Sequence, residues 1–456
     1  MASSTSLSHY DLAAIGLFII GIALRFYHIT FNSLWLDEIS TLMYSSKSFF
    51  GIWEAMLLGE YNPPLFYWIE HAMMLMFGVS DLVIRVAPAI FGALTIPAIY
   101  ILGKRVKDAP TGTIAAMLMT FSPWGIVYSQ EARAYTMIVF LATMAMIYYF
   151  GKKKNDKLIM AAILGVALWT HFYTLIFAAI LLVADLIQGY RTSRTWSSLD
   201  VKPIALYAIM ASPLVIGAYG LIGPRFNIGV NFGLTGVNLI IQTIYQFFGF
   251  SYIGIALFLL SILGIWLLYK ENKYNASLLL LIIFGTIAVS LPLAYKMIIV
   301  PRYFCFIIPA LFVSIGCFHD IIKIDSGRKK SNFMAYFVIL TFIALLSPSF
   351  VSLYTVPIKP DYRSAAEYIY ENANGSKVVF VPDYPAPFTF YYKGDVERIR
   401  NVSDIYTKIG DIYVISMIDV DWHPNETELK NWLNTNTTLL KTFQFVEVRK
   451  YNGTVS

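Results

Sequence analysis

The sequence is short of charge and of cysteine. Only 14% of its 456 residues are charged, against roughly 25% in soluble chains. There are too few polar side chains to cover a surface in water, which excludes a soluble globular protein. Its two cysteines, Cys305 and Cys317, both lie in apolar stretches, which excludes a disulfide framework and a cysteine-built metal site. The net charge of +6 is modest; no nucleic-acid partner is expected, and the position of the cations matters more than their sum.

What the chain has in abundance is apolar length. Hydrophobic residues make up 57% of it, and the mean hydropathy is +0.62. Runs long enough to cross a bilayer fall at 10–27, 82–103, 112–128, 135–150, 157–171, 173–189, 203–221, 252–269, 276–294, 303–318 and 333–353. If these eleven spans alternate, one side collects sixteen cations: Lys104, Arg105, Lys107, Lys152, Lys153, Lys154, Lys157, Arg191, Arg194, Lys202, Lys270, Lys273, Lys323, Arg328, Lys329 and Lys330. The opposite connections hold Lys47, Arg133, Arg225, Lys296 and Arg302. The cation-rich side marks the cytoplasm. With the N-terminus also inside, an odd number of spans leaves the C-terminus outside. The expected location is the cell membrane, or the endoplasmic reticulum membrane in a eukaryotic host. No A-x-A-like boundary follows the first span, so that span is expected to be retained.

The expected fold class is therefore an α-helical polytopic membrane protein with interfacial helices and a small C-terminal α/β domain. Residues 1–355 form the membrane part, with a long first outer connection at 28–81, and 356–456 the soluble part. In the connection, 64–79 reads as an interfacial helix, because counting it as a span would scatter the sixteen cations over both sides. In the tail, 361–372 and 426–433 have helical patterns, while 377–381, 411–417 and 442–449 read as strands. Five Asn-x-Ser/Thr sequons, at Asn374, Asn401, Asn425, Asn436 and Asn452, crowd this segment and agree with an outer location. A sixth, at Asn275, falls in an expected cytoplasmic loop. The tail carries no catalytic motif; it is read as covering the site or holding an acceptor, or else as stabilising packing.

Polar residues gather at the outer span ends, a costly placement that usually marks function. They include Asp37-Glu38 and Asn62-Pro63-Pro64-Leu65 in the first outer loop, Gln130-Glu131-Ala132-Arg133-x-Tyr135, His171-Phe172-Tyr173 and Pro301-Arg302-Tyr303. In residues and order, the Asp37-Glu38, Asn62–Leu65, Gln130–Tyr135 and Pro301–Tyr303 elements resemble the polyprenyl-phosphate-dependent glycosyltransferases of superfamily C. The branch resembled is that of protein O-mannosyltransferases and lipid A aminoarabinose transferases. Asn62 stands where that pattern more commonly has His, and the Trp-Trp-Asp-Tyr-Gly run of the oligosaccharyltransferase branch is missing. The resemblance implies transfer of a single sugar, mannose first among the expectations, from a dolichyl- or polyprenyl-phosphate to a glycan or protein acceptor outside the cytoplasm, with inversion. No cofactor or metal is expected beyond the lipid-linked donor and the membrane lipid.

The chemistry needs a base and one or two cations. A lipid phosphate is already a competent leaving group, so the protein must deprotonate the acceptor and stabilise charge growing on the phosphate. The resemblance puts Asp37 forward as the base; the alternative is an acid capping a helix near Ile39. Glu38 faces elsewhere on a helix and either orients or does neither. Glu131 and Arg133 either face the substrate or pair with each other. Arg302, Arg225 and Lys296 are phosphate candidates, or else snorkelling anchors. His171, Tyr173 and Tyr303 are candidate sugar or acceptor contacts; no second His at ligand spacing supports a metal at His171. Arg85 is an anchor or a partner for a loop acid. A membrane transporter or lipid flippase is the competing reading, though the sequence shows no internal repeat.

Overall fold

The structure is a computed structural model. It describes residues 7–60, 62–195, 197, 199–227, 234–249, 252–324, 328–373, 375–381, 384–399, 410–418 and 424–453. Tyr61 and the sequons at Asn374 and Asn401 lie outside the described residues. Contacts divide the chain into two units, Met1–Tyr27 with Tyr44–Phe350, and His28–Met43 with Val351–Ser456. Residues 28–43, read above with the membrane part, thus group with the C-terminal unit.

The described helices begin with α1 (His9–Phe26), α2 (Leu36–Ser45), α3 (Phe49–Leu57), α4 (Leu65–Phe77), α5 (Val83–Val106), α6 (Ala109–Thr120) and α7 (Pro123–Val127). Next come α8 (Tyr135–Tyr149), α9 (Asp156–Thr170), α10 (Thr174–Ser193), α11 (Lys202–Asn227), α12 (Gly236–Phe248) and α13 (Tyr252–Glu271). Then follow α14 (Lys273–Leu280), α15 (Thr286–Leu293), α16 (Ile308–Gly316), α17 (Arg328–Leu345) and α18 (Ser347–Thr355). Among the described residues, seven stretches are long and apolar enough to cross a membrane: 9–26, 83–106, 174–193, 252–271, 273–293, 301–320 and 333–355. The other four expected spans fall on α6 with α7, α8, α9 and α11. The protein is an α-helical polytopic membrane protein. Its α4 has 13 residues, about 20 Å, too short for a hydrocarbon core of about 30 Å.

Two expected spans are broken, each for a local reason. The 112–128 run divides into α6 and α7 because Pro123 disfavours a helical Ser122. The Ser122 hydroxyl instead accepts from the Gly125 N–H at 3.1 Å and starts a new helix. The 333–353 run divides at Leu346, just before Ser347-Pro348.

In the first unit α5 packs against α1, α4, α6, α8 and α16. Two crossings need glycine. A Cβ on Gly103 would lie 2.5 Å from the Gly112 Cα, and one on Gly316 would lie 2.5 Å from the Thr111 carbonyl oxygen. Helices α5, α6 and α16 therefore approach backbone to backbone. Beside this crossing, buried Lys107 pairs with Asp320 and, at 3.1 Å, with Glu271. His319 Nε2 stands 3.3 Å from both Asp108 and Asp320. Burial works against the Lys107 charge, but the hydrogen bonds and negative charge of Asp320 and Glu271 raise its pKa on balance. These contacts close the end that carries the cation-rich loops.

The C-terminal unit adds α19 (Tyr362–Asn372), α20 (Ala386–Tyr391) and α21 (Pro424–Asn436) to strands β1 (Lys377–Val381), β2 (Val396–Arg398), β3 (Gly410–Met417), β4 (Thr438–Phe443) and β5 (Val446–Gly453). The sheet order is β2-β1-β3-β5-β4. Strand β1 lies parallel to β2 and β3, with Val378 opposite Val396 and Val379 opposite Val414, and β5 is antiparallel to β3 and β4. Strand alternation divides the core. Val378, Phe380, Ile415 and Val448 meet α19 and Phe388 of α20. Val379, Val381, Ile412 and Val414 meet Leu429, Trp432 and Leu433 of α21. The expected single strand at 442–449 is instead a hairpin, turned at 444–445 with Phe445 at φ 55°.

Candidate active site

In the first unit, the far end of the 301–320 rod from the Lys107 cluster carries Arg302. Its Nε donates to the Tyr135 hydroxyl at 3.0 Å, tying the 301–307 segment to the first residue of α8. Tyr135 is buried and stands edge-on to Tyr128, ring centroids 5.1 Å apart. The α9–α10 turn adds a second aromatic wall. His171 lies 5.1 Å from Tyr303 and 5.6 Å from Tyr173, and Tyr173 lies 5.1 Å from Tyr303. The Tyr173 hydroxyl donates to the Ile298 carbonyl at 2.9 Å, locking the turn to the segment before Arg302.

Two guanidinium groups face this aromatic wall. Arg133 sits 5.9 Å from the Tyr135 ring and Arg302 sits 5.9 Å from the Tyr303 ring. His171 is buried within electrostatic reach of Arg133 and Arg302. Its ring is neutral, and Nδ1 accepts from the Tyr173 N–H at 3.3 Å, which leaves the ring proton on Nε2. Buried Glu131 follows a short 3-10 turn at Tyr128–Gln130. Tyr128 lies within electrostatic reach of both Glu131 and Arg302. Gln130 has a framing role: its amide donates to the Arg25 and Tyr27 carbonyls, at 3.1 and 2.8 Å, capping α1.

The Asn62–Leu65 element joins this cluster through residues that the motif reading passed over. The Asn62 amide and the Tyr67 hydroxyl both donate to Glu60 Oε1, at 2.8 and 2.7 Å. Tyr67 lies within electrostatic reach of Arg133 as well as Glu60. The available signal was a carboxylate two residues before Asn62 and a tyrosine three residues after Pro64. Asn62 thus holds Glu60 in place.

Asp37 and Glu38 belong to the other unit. Helix α2 begins at Leu36, earlier than the expected start near Ile39, so Asp37 lies in the first turn and is not the cap. Glu38 does the capping: its carboxylate accepts from the Trp35 N–H at 3.4 Å. Asp37 is half-buried and Glu38 fully buried. Arg85 is buried at the head of α5. Lys296 is exposed on the turn after α15 and makes no ion pair with the cluster among the described residues. Arg225 lies near the end of α11, and its side chain is outside the described ones.

Residues 61–216 match the family model described as dolichyl-phosphate-mannose-protein mannosyltransferase. That segment holds the Asn62–Leu65 element, Glu131, Arg133, Tyr135, His171 and Tyr173. ArnT from Cupriavidus metallidurans, in a crystal structure bound to undecaprenyl phosphate, shares the fold over 97% of each chain, with a TM-score of 0.57 and 12% identity. The Archaeoglobus fulgidus oligosaccharyltransferase, solved with a tethered acceptor peptide, matches 90% of this chain and 69% of its own, with a TM-score of 0.54 and 13% identity. An uncharacterized Aquifex aeolicus protein is 27% identical over 143 residues, 29% of this chain and 28% of the relative. The chain therefore matches less than a third of that relative's length.

Proposed function

The chain is a membrane protein with the fold of the superfamily C glycosyltransferases, and from that premise we propose that it transfers one sugar from a polyprenyl-phosphate donor to a hydroxyl acceptor. Mannose is the first sugar to test, because the family model matched over 61–216 is a mannosyltransferase model. The observation that carries the proposal is the pair of guanidiniums, Arg133 and Arg302, set against the wall of Tyr135, His171, Tyr173 and Tyr303. Two cations match a phosphate monoanion that gains charge as it leaves, and arginine binds two of its oxygens at once. Flat aromatic faces suit the C–H side of a sugar ring.

In this reading the acceptor oxygen attacks the sugar C1 from the face opposite the phosphate. The C1–O bond to the phosphate breaks, the polyprenyl phosphate leaves with the bonding electrons, and the acceptor proton passes to the Asp37 carboxylate. One displacement inverts C1. Arg302, held by Tyr135, takes the phosphate; Arg133 supplies the second charge. Neutral His171 offers Nε2–H as a hydrogen-bond donor to a sugar hydroxyl. Glu38 shapes the first turn of α2, and Glu131 balances the cations. Arg225 and Lys296 are secondary phosphate candidates at other loop ends. The C-terminal unit faces the extracytoplasmic side.

The test is incubation of the full chain in lipid nanodiscs with synthetic polyprenyl-phosphate mannose, hexose and aminoarabinose donors and with peptide and glycolipid acceptors, read by mass spectrometry. A one-sugar mass gain on an acceptor, dependent on the donor, is expected. Movement of lipid between leaflets without a new glycosidic bond fits a transporter or flippase and overturns the proposal.

A further inference from the structure

The segment before Asp37 is bonded residue by residue to the C-terminal unit. Asn32 Oδ1 accepts from the Ile358 N–H at 2.8 Å. The Ser33 hydroxyl donates to Asp361 Oδ1 and accepts from the Arg363 N–H, both at 3.1 Å. Asp361 also caps α19 by accepting from the Ser364 N–H at 3.2 Å, so Ser33 is built into the first turn of that helix. The Leu34 N–H donates to the Tyr391 hydroxyl at 2.8 Å, and the Leu34 side chain is fully buried. The Lys359 ammonium stands 3.6 Å over the Trp35 ring. Four consecutive residues are fixed, with partners more than 320 residues away in sequence. Only Leu36 separates this strap from Asp37, and the Trp35–Glu38 hydrogen bond closes the turn between them.

We propose that the C-terminal unit is the positioning device for the Asp37 loop, with Ser33 and Tyr391 as its positioning residues. This rests on the reading of Asp37 as the base. It gives the tail a role in the transfer step itself, since a carboxylate displaced by about 1 Å can lose about 100-fold in rate. Ser33 and Tyr391 act on the loop and not on the donor.

The experiment compares the full chain in nanodiscs with Ser33→Ala, Tyr391→Phe, the double variant and Asp37→Asn. Hydrogen–deuterium exchange over residues 32–40 reads the strap without reference to catalysis. Each hydrogen bond removed is worth about 5-fold in the local opening equilibrium; Ser33→Ala removes two and Tyr391→Phe one, so the double variant should exchange about 125-fold faster there. Transfer from polyprenyl-phosphate mannose should lose about 10-fold or more in kcat with donor KM unchanged. Unchanged exchange over 32–40 overturns the strap whatever the activity. Faster exchange with normal kcat, while Asp37→Asn is inactive, overturns the positioning role and leaves the base assignment standing. Normal turnover by Asp37→Asn overturns the base assignment and the positioning role with it.

Discussion

Removing one oxygen atom tests the phosphate site most directly. Tyr135→Phe keeps the ring, which is buried and packed edge-on against Tyr128, so no cavity forms. What is lost is the 3.0 Å hydrogen bond from Arg302 Nε. Hydrogen bonds to charged groups contribute about 1.5–3 kcal/mol. Arg302 is only half-buried, so water partly replaces the hydroxyl and the low end, about 1.5 kcal/mol, is the better figure. That is about 12-fold. If the bond aims the guanidinium at the donor phosphate, the loss appears as a 12-fold weaker donor dependence, with acceptor KM unchanged. The assay is initial-rate transfer with donor and acceptor varied separately, repeated on Arg302→Ala and the double variant. In the Arg302→Ala background the tyrosine change should cost nothing further. An equal loss in both backgrounds, or a change confined to acceptor KM, refutes the assignment.

Three further outcomes are expected. Asp37→Asn should lower kcat by about 100- to 10,000-fold at unchanged thermal stability; near-normal turnover removes Asp37 from the chemistry. His171 accepts at Nδ1 from the Tyr173 N–H, a bond that only the neutral ring can make. The transfer profile should therefore carry no limb near pH 6.5 that disappears in His171→Gln. Lys107→Met leaves Asp320 buried without its cation. It should cost about 3–5 kcal/mol, read as a lower unfolding midpoint in nanodiscs with donor KM unaltered; a midpoint within a degree of the parent's counts against the pairing.

Apolar runs made the membrane fold legible, because burial in lipid must be paid for locally by a helix of roughly twenty residues. The breaks were less so: Ser122-Pro123 and Ser347-Pro348 are short-range signals submerged in runs whose hydropathy never falls. The 444–445 turn lacks the usual Gly or Asn signal, since Phe445 takes the positive φ. At the site, Glu131-x-Arg133-x-Tyr135, His171 and Arg302-Tyr303 were visible as polar residues at span ends. Glu60 and Tyr67 were not, because their meaning depends on Asn62 folding back onto them. Arg25 shows the opposite limit. A fully buried arginine in a first span invites a functional reading, but its guanidinium donates to the Met119 and Thr120 carbonyls at the C-terminal end of α6, where a positive charge is favoured. The union of 28–43 with 351–456 left no local trace, since nothing in one segment encodes a partner three hundred residues away.

Arg302 and Gly316 sit 14 residues apart on one continuous helical rod, roughly 21–28 Å given rises of 1.5–2.0 Å per residue. Gly316 is its fulcrum, bearing on the Thr111 carbonyl with no side chain between. A single methyl group there would tilt the lever, and a tilt of about 2–3° would swing the guanidinium by about 1 Å. The proposed transfer site at one end of the rod is in this way answerable to a vacancy the size of one carbon atom near the other.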